Sequence, residues 1–250
     1  YHVSVHHCLL AHNSFRNPLI IDGGTHDLVN NVIYNWNDTA GEIVDYVSNT
    51  FLNAVGNVYR PGPSTQRILQ PFVINSNYSQ TAGPRVFARE NLGPTRSGAE
   101  ADEWAFVTHT WYGKPAPEHY QSPARFPTPP VTTLSADQAF EKVLAHAGAT
   151  RPQRDTADAR VVAEVKDGKG SIIDSPRQVG GYPKLAQGGP PADSDHDGMP
   201  DEWEKEKQLN PNDSADGNAD RDGDGYTNIE EHLFSLLKDA TVTANTPGDK

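Results

Sequence analysis

The sequence predicts a mainly β fold: a partial parallel β-helix, then a helical and irregular extension, then a small module built on two acidic loops. Three observations carry this expectation. A template of short strands recurs with an asparagine near each turn, a proline-rich stretch precedes two helical patterns, and two twelve-residue segments share the same acidic positions. Val29-Asn-Asn31-Val-Ile-Tyr-Asn35 aligns with Val47-Ser-Asn49-Thr-Phe-Leu-Asn53 at a spacing of 18 residues. Val5-His-His7-Cys-Leu-Leu fits the same template 24 residues before the first, and Val86-Phe-Ala-Arg-Glu-Asn91 is a degenerate later copy. A repeat period near about 20 residues signals a solenoid. The β-branched and aromatic content argues for strands rather than helical periodicity. Asn31 and Asn49 are then expected to stack as an amide ladder between coils, with the unrelated strands of a β-sandwich as the competing arrangement.

The coils are assigned to residues 1–95. Residues 96–187 form a strap and covering helices, since six prolines fall between Lys114 and Pro130 without a periodic pattern, which describes extended chain. Ser135 with Gln138 three residues on is a helix start, Ala139, Phe140, Val143, Leu144 and Ala147 share a face, and Gly148 is a stop. A second helix is expected from Asp155, carrying Ala159, Val162 and Val165. Both helices are expected to cover the flank or end of the strand stack, because an open stack exposes its edges. Residues 188–240 form the acidic module and 241–250 a disordered tail.

The net charge of −12 lies almost wholly between Pro191 and His232, where 14 acidic residues meet 3 basic ones. That stretch contains Asp193-Ser-Asp195-His-Asp197-Gly198-Met199-Pro-Asp201-Glu-Trp-Glu204 and Asp220-Arg-Asp222-Gly-Asp224-Gly225-Tyr226-Thr-Asn228-Ile-Glu-Glu231. A twelve-residue calcium loop places oxygen donors at positions 1, 3, 5, 7, 9 and 12, with glycine at 6 for the sharp turn. Both segments fill every slot, the position 7 donors being the backbone carbonyls of Met199 and Tyr226. Calcium is therefore the expected cofactor. A merely solvated acidic run has no reason to repeat the glycine and the final glutamate in register. The absence of a basic face argues against a nucleic-acid partner. No apolar run approaches the roughly 18 residues of a membrane span, and Cys8 is the one cysteine, so no intrachain disulfide forms.

The stretch from His6 to Pro18 concentrates imidazoles, Asn13 and Arg16 on a strand and the turn after it. As structure, Arg16 would satisfy carbonyls or pair with Asp22. As a site, Arg16 and Asn13 would face an anionic substrate, because guanidinium matches carboxylate in a bidentate fork. A zinc site is disfavoured, since His6 and His7 should point to opposite faces of a strand.

His6-His-Cys-Leu-Leu-Ala-His12-Asn-Ser-Phe-Arg16-Asn-Pro18, His26-Asp-Leu-Val-Asn-Asn31-Val-Ile-Tyr-Asn-Trp36 and Val55-Gly-Asn57-Val-Tyr-Arg60-Pro-Gly-Pro63 together resemble the C-terminal half of family 1 pectate lyases. Later stretches, among them Gly170-Ser-Ile-Ile-Asp174 and Asp195-His-Asp-Gly-Met-Pro-Asp-Glu-Trp-Glu204, resemble secreted microbial members of that family. The resemblance implies a right-handed parallel β-helix, a secreted monomer, and cleavage of polygalacturonate by β-elimination. Arg16 matches the family's catalytic arginine, and Asn13, Arg60 and His7 are the candidate substrate contacts. A guanidinium is ordinarily protonated, so a role as base and a purely electrostatic role are both open. Where many relatives carry a second basic residue after Asn-Pro, this chain has Leu19-Ile-Ile21. The resemblance also implies that the acidic ligands of the catalytic calcium lie on coils upstream of Tyr1. The chain is thus expected to be a fragment with a bare first strand layer and poor solubility. Two rival readings are a β-helix hydrolase of uronate polymers, which needs a pair of carboxylates across the scissile bond, and a calcium-dependent docking module, whose repeats tend to be closer copies than these loops are.

Overall fold

Strands in the first part of the chain come in threes. In the computed structural model, residues 2–66, 71–76, 80, 82–98, 102–109, 114–115, 118–150, 153–184 and 188–237 are described, in two units, Tyr1–Leu185 and Ala186–Lys250. The expected tail, 241–250, lies outside the described residues. In the first unit β1 (His2–His6), β2 (Leu9–Ala11) and β3 (Leu19–Ile21) make one round, and β4 (Gly24–Val29), β5 (Val32–Tyr34) and β6 (Gly41–Val44) the next. A third round is β7 (Thr50–Val55), β8 (Val58–Arg60) and β9 (Phe72–Asn75), and β10 (Arg85–Arg89) and β11 (Val107–His109) continue it. Corresponding strands pair in parallel as β1-β4-β7-β10, β2-β5-β8 and β3-β6-β9-β11. A short β12 (Lys114–Pro115) closes the last sheet antiparallel. It lies inside the stretch expected to hold no element. The architecture is mainly parallel sheet with few helices, compatible with a parallel β-helix.

The interior is apolar, with Leu28, Ile33, Ile43, Leu52, Phe72, Ile74, Val86 and Phe106 fully buried. Through it runs a ladder of amides: Cys8 N donates to Asn31 Oδ1, Asn31 N to Asn57 Oδ1 and Asn57 N to Asn91 Oδ1, across offsets of 23, 26 and 34 residues. Side-chain amides repeat the bonding, Asn31 Nδ2 to Asn57 Oδ1 at 3.0 Å and Asn57 Nδ2 to Asn91 Oδ1 at 2.9 Å. This corrects the spacing of 18 and the place of Asn49, which is exposed in the bend before β7. Register is set where strands pair and side chains face inward, while the turns between strands differ in length. A fixed sequence spacing therefore misaligns the copies.

Two further asparagines fasten the irregular extension to the strands. Asn53 accepts from Phe126 N (2.9 Å) and donates to Phe126 O (3.1 Å), and Asn30 accepts from Leu134 N (2.7 Å) and donates to Leu134 O (2.9 Å). Each amide thus mimics a strand partner for a chain that has none. Beside Asn53, burial alone would raise the Asp27 carboxyl. Hydrogen bonds from Thr128, Asn53 and Arg125, with the Arg125 charge, hold it below the usual carboxylate range.

The helices are α1 (Ala136–His146), capped by Ser135 and Gln138 in a reciprocal pair, and α2 (Thr156–Asp167), capped by Asp155 and stopped at Gly168 in the left-handed region. Both cover the outer face of β2-β5-β8, burying Val143, Leu144 and Val165 against Val32 and Tyr34. A polar tie anchors α2: Asn35 Nδ2 lies 2.8 Å from His12 Nδ1, and His12 Nε2 lies 3.0 Å from Glu164, which also accepts from Arg160. With Asn35 donating to Nδ1, the neutral tautomer carries its proton on Nε2, the nitrogen that faces Glu164. Burial holds the His12 pKa below its ordinary value, opposed by Glu164 and reinforced by the Arg160 charge. The unfolded chain thus takes up the proton first, so this contribution to stability is complete above about pH 6.5 and is lost as pH falls through the lower folded value. The thermal midpoint of the chain is expected to drop as pH falls below about 6.5, and His12→Gln is expected to flatten that slope. An unchanged slope would remove His12 as its source.

Candidate functional site

The turn between β2 and β3 presents Arg16. It is pinned to the next round through backbone bonds: Asn37 N and Asp38 N donate to Ser14 O (2.9 and 3.0 Å), and Arg16 N donates to Thr39 O (3.2 Å). Arg16 sits in the left-handed region at φ 64°, ahead of a cis Asn17–Pro18 bond. Its guanidinium lies 4.8 Å from the Phe15 ring centre, and its side chain is 54% exposed. The nearest counter-charge is Glu42 on β6, with 4.0 Å between Arg16 Nε and Oε2. Asp22, the partner expected from the sequence, accepts instead from Tyr46 N and Val47 N. Glu42 is buried, and its Oε1 accepts from Asn75 Nδ2 on β9 at 2.9 Å. Sequence reasoning missed Glu42, although a lone acid in the otherwise apolar strand Gly41-Glu-Ile-Val44 was a usable signal.

The other candidate contacts do not gather at Arg16. His7 and Asn13 line a hollow of about 580 Å³ with Cys8, His146 and Asp158, between the first round and the two helices, and Arg16 is not part of its wall. His7 follows β1 at φ 54°, so alternation breaks there. The two imidazoles meet with Nδ1 atoms 3.1 Å apart instead of facing opposite ways. Arg60, expected at the substrate, donates to Val165 O (3.0 Å) and Lys166 O (3.4 Å). It satisfies the carbonyls at the end of α2, where a cation is favoured by the helix dipole.

The second unit contains α3 (Asp201–Lys207) and α4 (Asn228–Ser235), each at the exit of an acidic loop. The loops fold alike. Asp193 accepts from His196 N and Gly198 N (2.7 and 3.2 Å), as Asp220 does from Gly223 N and Gly225 N (2.7 and 3.0 Å). Gly198 and Gly225 both stand at φ 97°, a region closed to most side chains. Carboxylate oxygens of Asp193, Asp195 and Asp197 converge within 4.8 Å, as do those of Asp220, Asp222 and Asp224. In both loops the position 9 side chain turns away to hold position 2: Asp201 accepts from Ser194 N and Oγ (2.7 and 2.8 Å), and Asn228 from Arg221 N (3.3 Å).

The donor set suits a hard divalent cation. Glu204 is fully buried, yet neither of its oxygens has a hydrogen-bond partner, and the same is true of both Asp195 oxygens and Asp197 Oδ2. Burial first, then the charges of Asp195, Asp197, Asp216 and Asp201, push the Glu204 carboxyl up to about 7. Crowded, unpartnered carboxylates with no protein cation among them are what an ion with six to eight oxygen ligands resolves. The second loop is more open, although burial and the charges of Asp222 and Asp224 also raise Glu231. Among the described residues of the first unit, no group of three acidic, imidazole or thiol side chains converges in this way.

Fold and site together describe a stack of parallel strands bearing a half-exposed arginine, joined to a unit of two oxygen-rich loops. No protein-family model matches the chain. It is similar to proteins named probable pectate lyase C. The relative from Aspergillus flavus is 35% identical over 243 residues, covering 94% of this chain and 54% of that protein, and the one from Aspergillus oryzae shows the same figures. That from Aspergillus terreus is 31% identical over 244 residues, covering 94% and 54%. The chain spans about half the length of the curated relatives it matches. These similarities support kinship with pectate lyases.

Proposed function

We propose that this chain is part of a secreted, monomeric pectate lyase, its strands wound as a right-handed parallel β-helix, that cleaves polygalacturonate by β-elimination. The observation that carries the reading is the run of seven relatives of that name, at 28–35% identity over 94% of the chain. In this reaction a base takes the C5 proton, negative charge spreads onto the C5 carboxylate, a C4–C5 double bond forms, and the C4–O bond breaks with its electron pair going to the departing oxygen, which is protonated from solvent. Arg16 presents a half-exposed guanidinium to solvent. Its role is to bind the carboxylate and stabilise the charge that develops on it, an electrostatic contribution made in the transition state. The calcium that the family holds against its substrate finds no convergent donor set among the described residues of the first unit, so no step is drawn through it.

The second unit we read as a paired EF-hand-like module that holds two calcium ions, with Asp193, Asp195, Asp197, the Met199 carbonyl and Glu204 at the first and Asp220, Asp222, Asp224, the Tyr226 carbonyl and Glu231 at the second. Calcium there is structural. Few apolar side chains are buried in this unit, Met199 being one, and binding energy becomes folding energy for such a segment.

The test is absorbance of unsaturated uronate released from polygalacturonate, with calcium and with chelator. Calcium-dependent absorbance supports the lyase, and reducing ends without absorbance would replace it with a hydrolase. Arg60→Met is expected to lower stability by about 1–2 kcal/mol through the end of α2 while leaving KM unchanged. A raised KM at unchanged stability would return Arg60 to the substrate.

A further inference from the structure

Both position 9 side chains are spent on their own loops, and the first loop finds a replacement ligand outside itself. Asp216 lies between the loops, in the short 3-10 turn Asp216–Asn218. Its carboxylate meets those of Asp197 and Glu204 with ligand atoms within 4.8 Å of one another. Oxygens on opposite sides of a calcium ion are about 4.6–5.2 Å apart, so these spacings suit one ion touched by all three. Asp197 also belongs to the Asp193–Asp195–Asp197 group, so the two groups of three share one carboxylate.

We propose that Asp216 is a ligand of the first calcium ion, taking the place that the loop pattern reserves for Asp201, and that Asn228 of the second loop positions it. This rests on the calcium reading of the module. Asp216 Oδ2 accepts from Asn210 N at 2.9 Å, whereas Oδ1 is sequestered with no partner. Fully buried Glu204, with two unpartnered oxygens, is the independent sign that something occupies the centre. Asn228 Nδ2 donates to Asp216 O at 2.8 Å, so the second loop holds the backbone of a first-site ligand. Gly217 is required for the approach, because a Cβ there would come within 2.6 Å of Asp197 Oδ2.

Two consequences follow from this geometry. The first site carries five carboxylates against four at the second, and ligand charge raises affinity, so the first site is the tighter. The loops are also coupled, since damage to Asn228 reaches the first ion. Calorimetric titration of calcium into the full 250-residue chain tests both. Asp216→Asn is expected to weaken the tighter site by roughly tenfold or more and to spare the other, while Asp201→Asn shifts it by no more than about threefold. Asn228→Ala is expected to weaken the tighter site too, by roughly threefold, and serves if Asp216→Asn does not fold. Unchanged tight binding in Asp216→Asn, or a larger loss in Asp201→Asn, overturns the assignment of Asp216 while leaving the calcium loops intact. A wild-type chain that takes up no calcium overturns the module itself.

Discussion

Arg16→Ala is expected to reduce release of unsaturated uronate by at least about 100-fold, with a thermal midpoint within about 2 °C of wild type. The two halves of this expectation have separate causes. On the lyase reading, activity falls because Arg16 would aim a donor at charge that appears only in the transition state. Stability holds because the Arg16 side chain is 54% exposed, its ion pair to Glu42 is 4.0 Å long, and buried Glu42 keeps its hydrogen bond from Asn75 when Arg16 is removed. Arg16→Lys should fall between, since lysine keeps the charge and loses the bidentate fork. Absorbance assays on the three proteins, read beside thermal melts, decide it. Retention of more than half the activity by the alanine variant would take Arg16 out of the site, and an equal collapse of stability would make it a structural residue.

Asn57→Ala is expected to be the most damaging single truncation in the strand stack, at about 3–5 kcal/mol. Asn57 is fully buried at the centre of the ladder. Its Oδ1 accepts from Asn31 N and Asn31 Nδ2, both at 3.0 Å, and its Nδ2 donates to Leu28 O at 2.7 Å and Asn91 Oδ1 at 2.9 Å. Alanine leaves those partners buried away from water, and each unsatisfied group costs about 1–3 kcal/mol. Asn49→Ala, at the exposed bend, should stay within about 0.5 kcal/mol. Urea denaturation of both variants gives the comparison. Equal midpoints would mean that the ladder contributes no more than a surface turn.

Much of this was legible before any coordinates. Ser135 with Gln138 and Asp155 marked helix starts because a cap is a contract between residues three apart. The two acidic loops could be read because all their expected donors fall within twelve consecutive residues. Strand chemistry in the first 95 residues was visible as well, since β-branched and aromatic residues act on their own backbone. The exposed arginine before Asn17-Pro18 was legible as a motif, though not its partner.

The sequence by itself determined the helices with their caps, the strand chemistry before residue 95 and the loop chemistry, all of which depend on neighbours along the chain, whereas β12 came only from its pairing with β11. Only the tertiary structure decided which asparagines stack, because rounds of 23, 26 and 34 residues are aligned by interior packing and not by count. It also decided that Arg60 closes a helix 105 residues away at Val165, and that Glu42 meets Arg16 from the adjacent round. Asp216 reaches the first loop by the same means. Residues distant along the chain become neighbours only when long-range pairing repays the entropy of closing the loop between them, and no local pattern records which of them will meet.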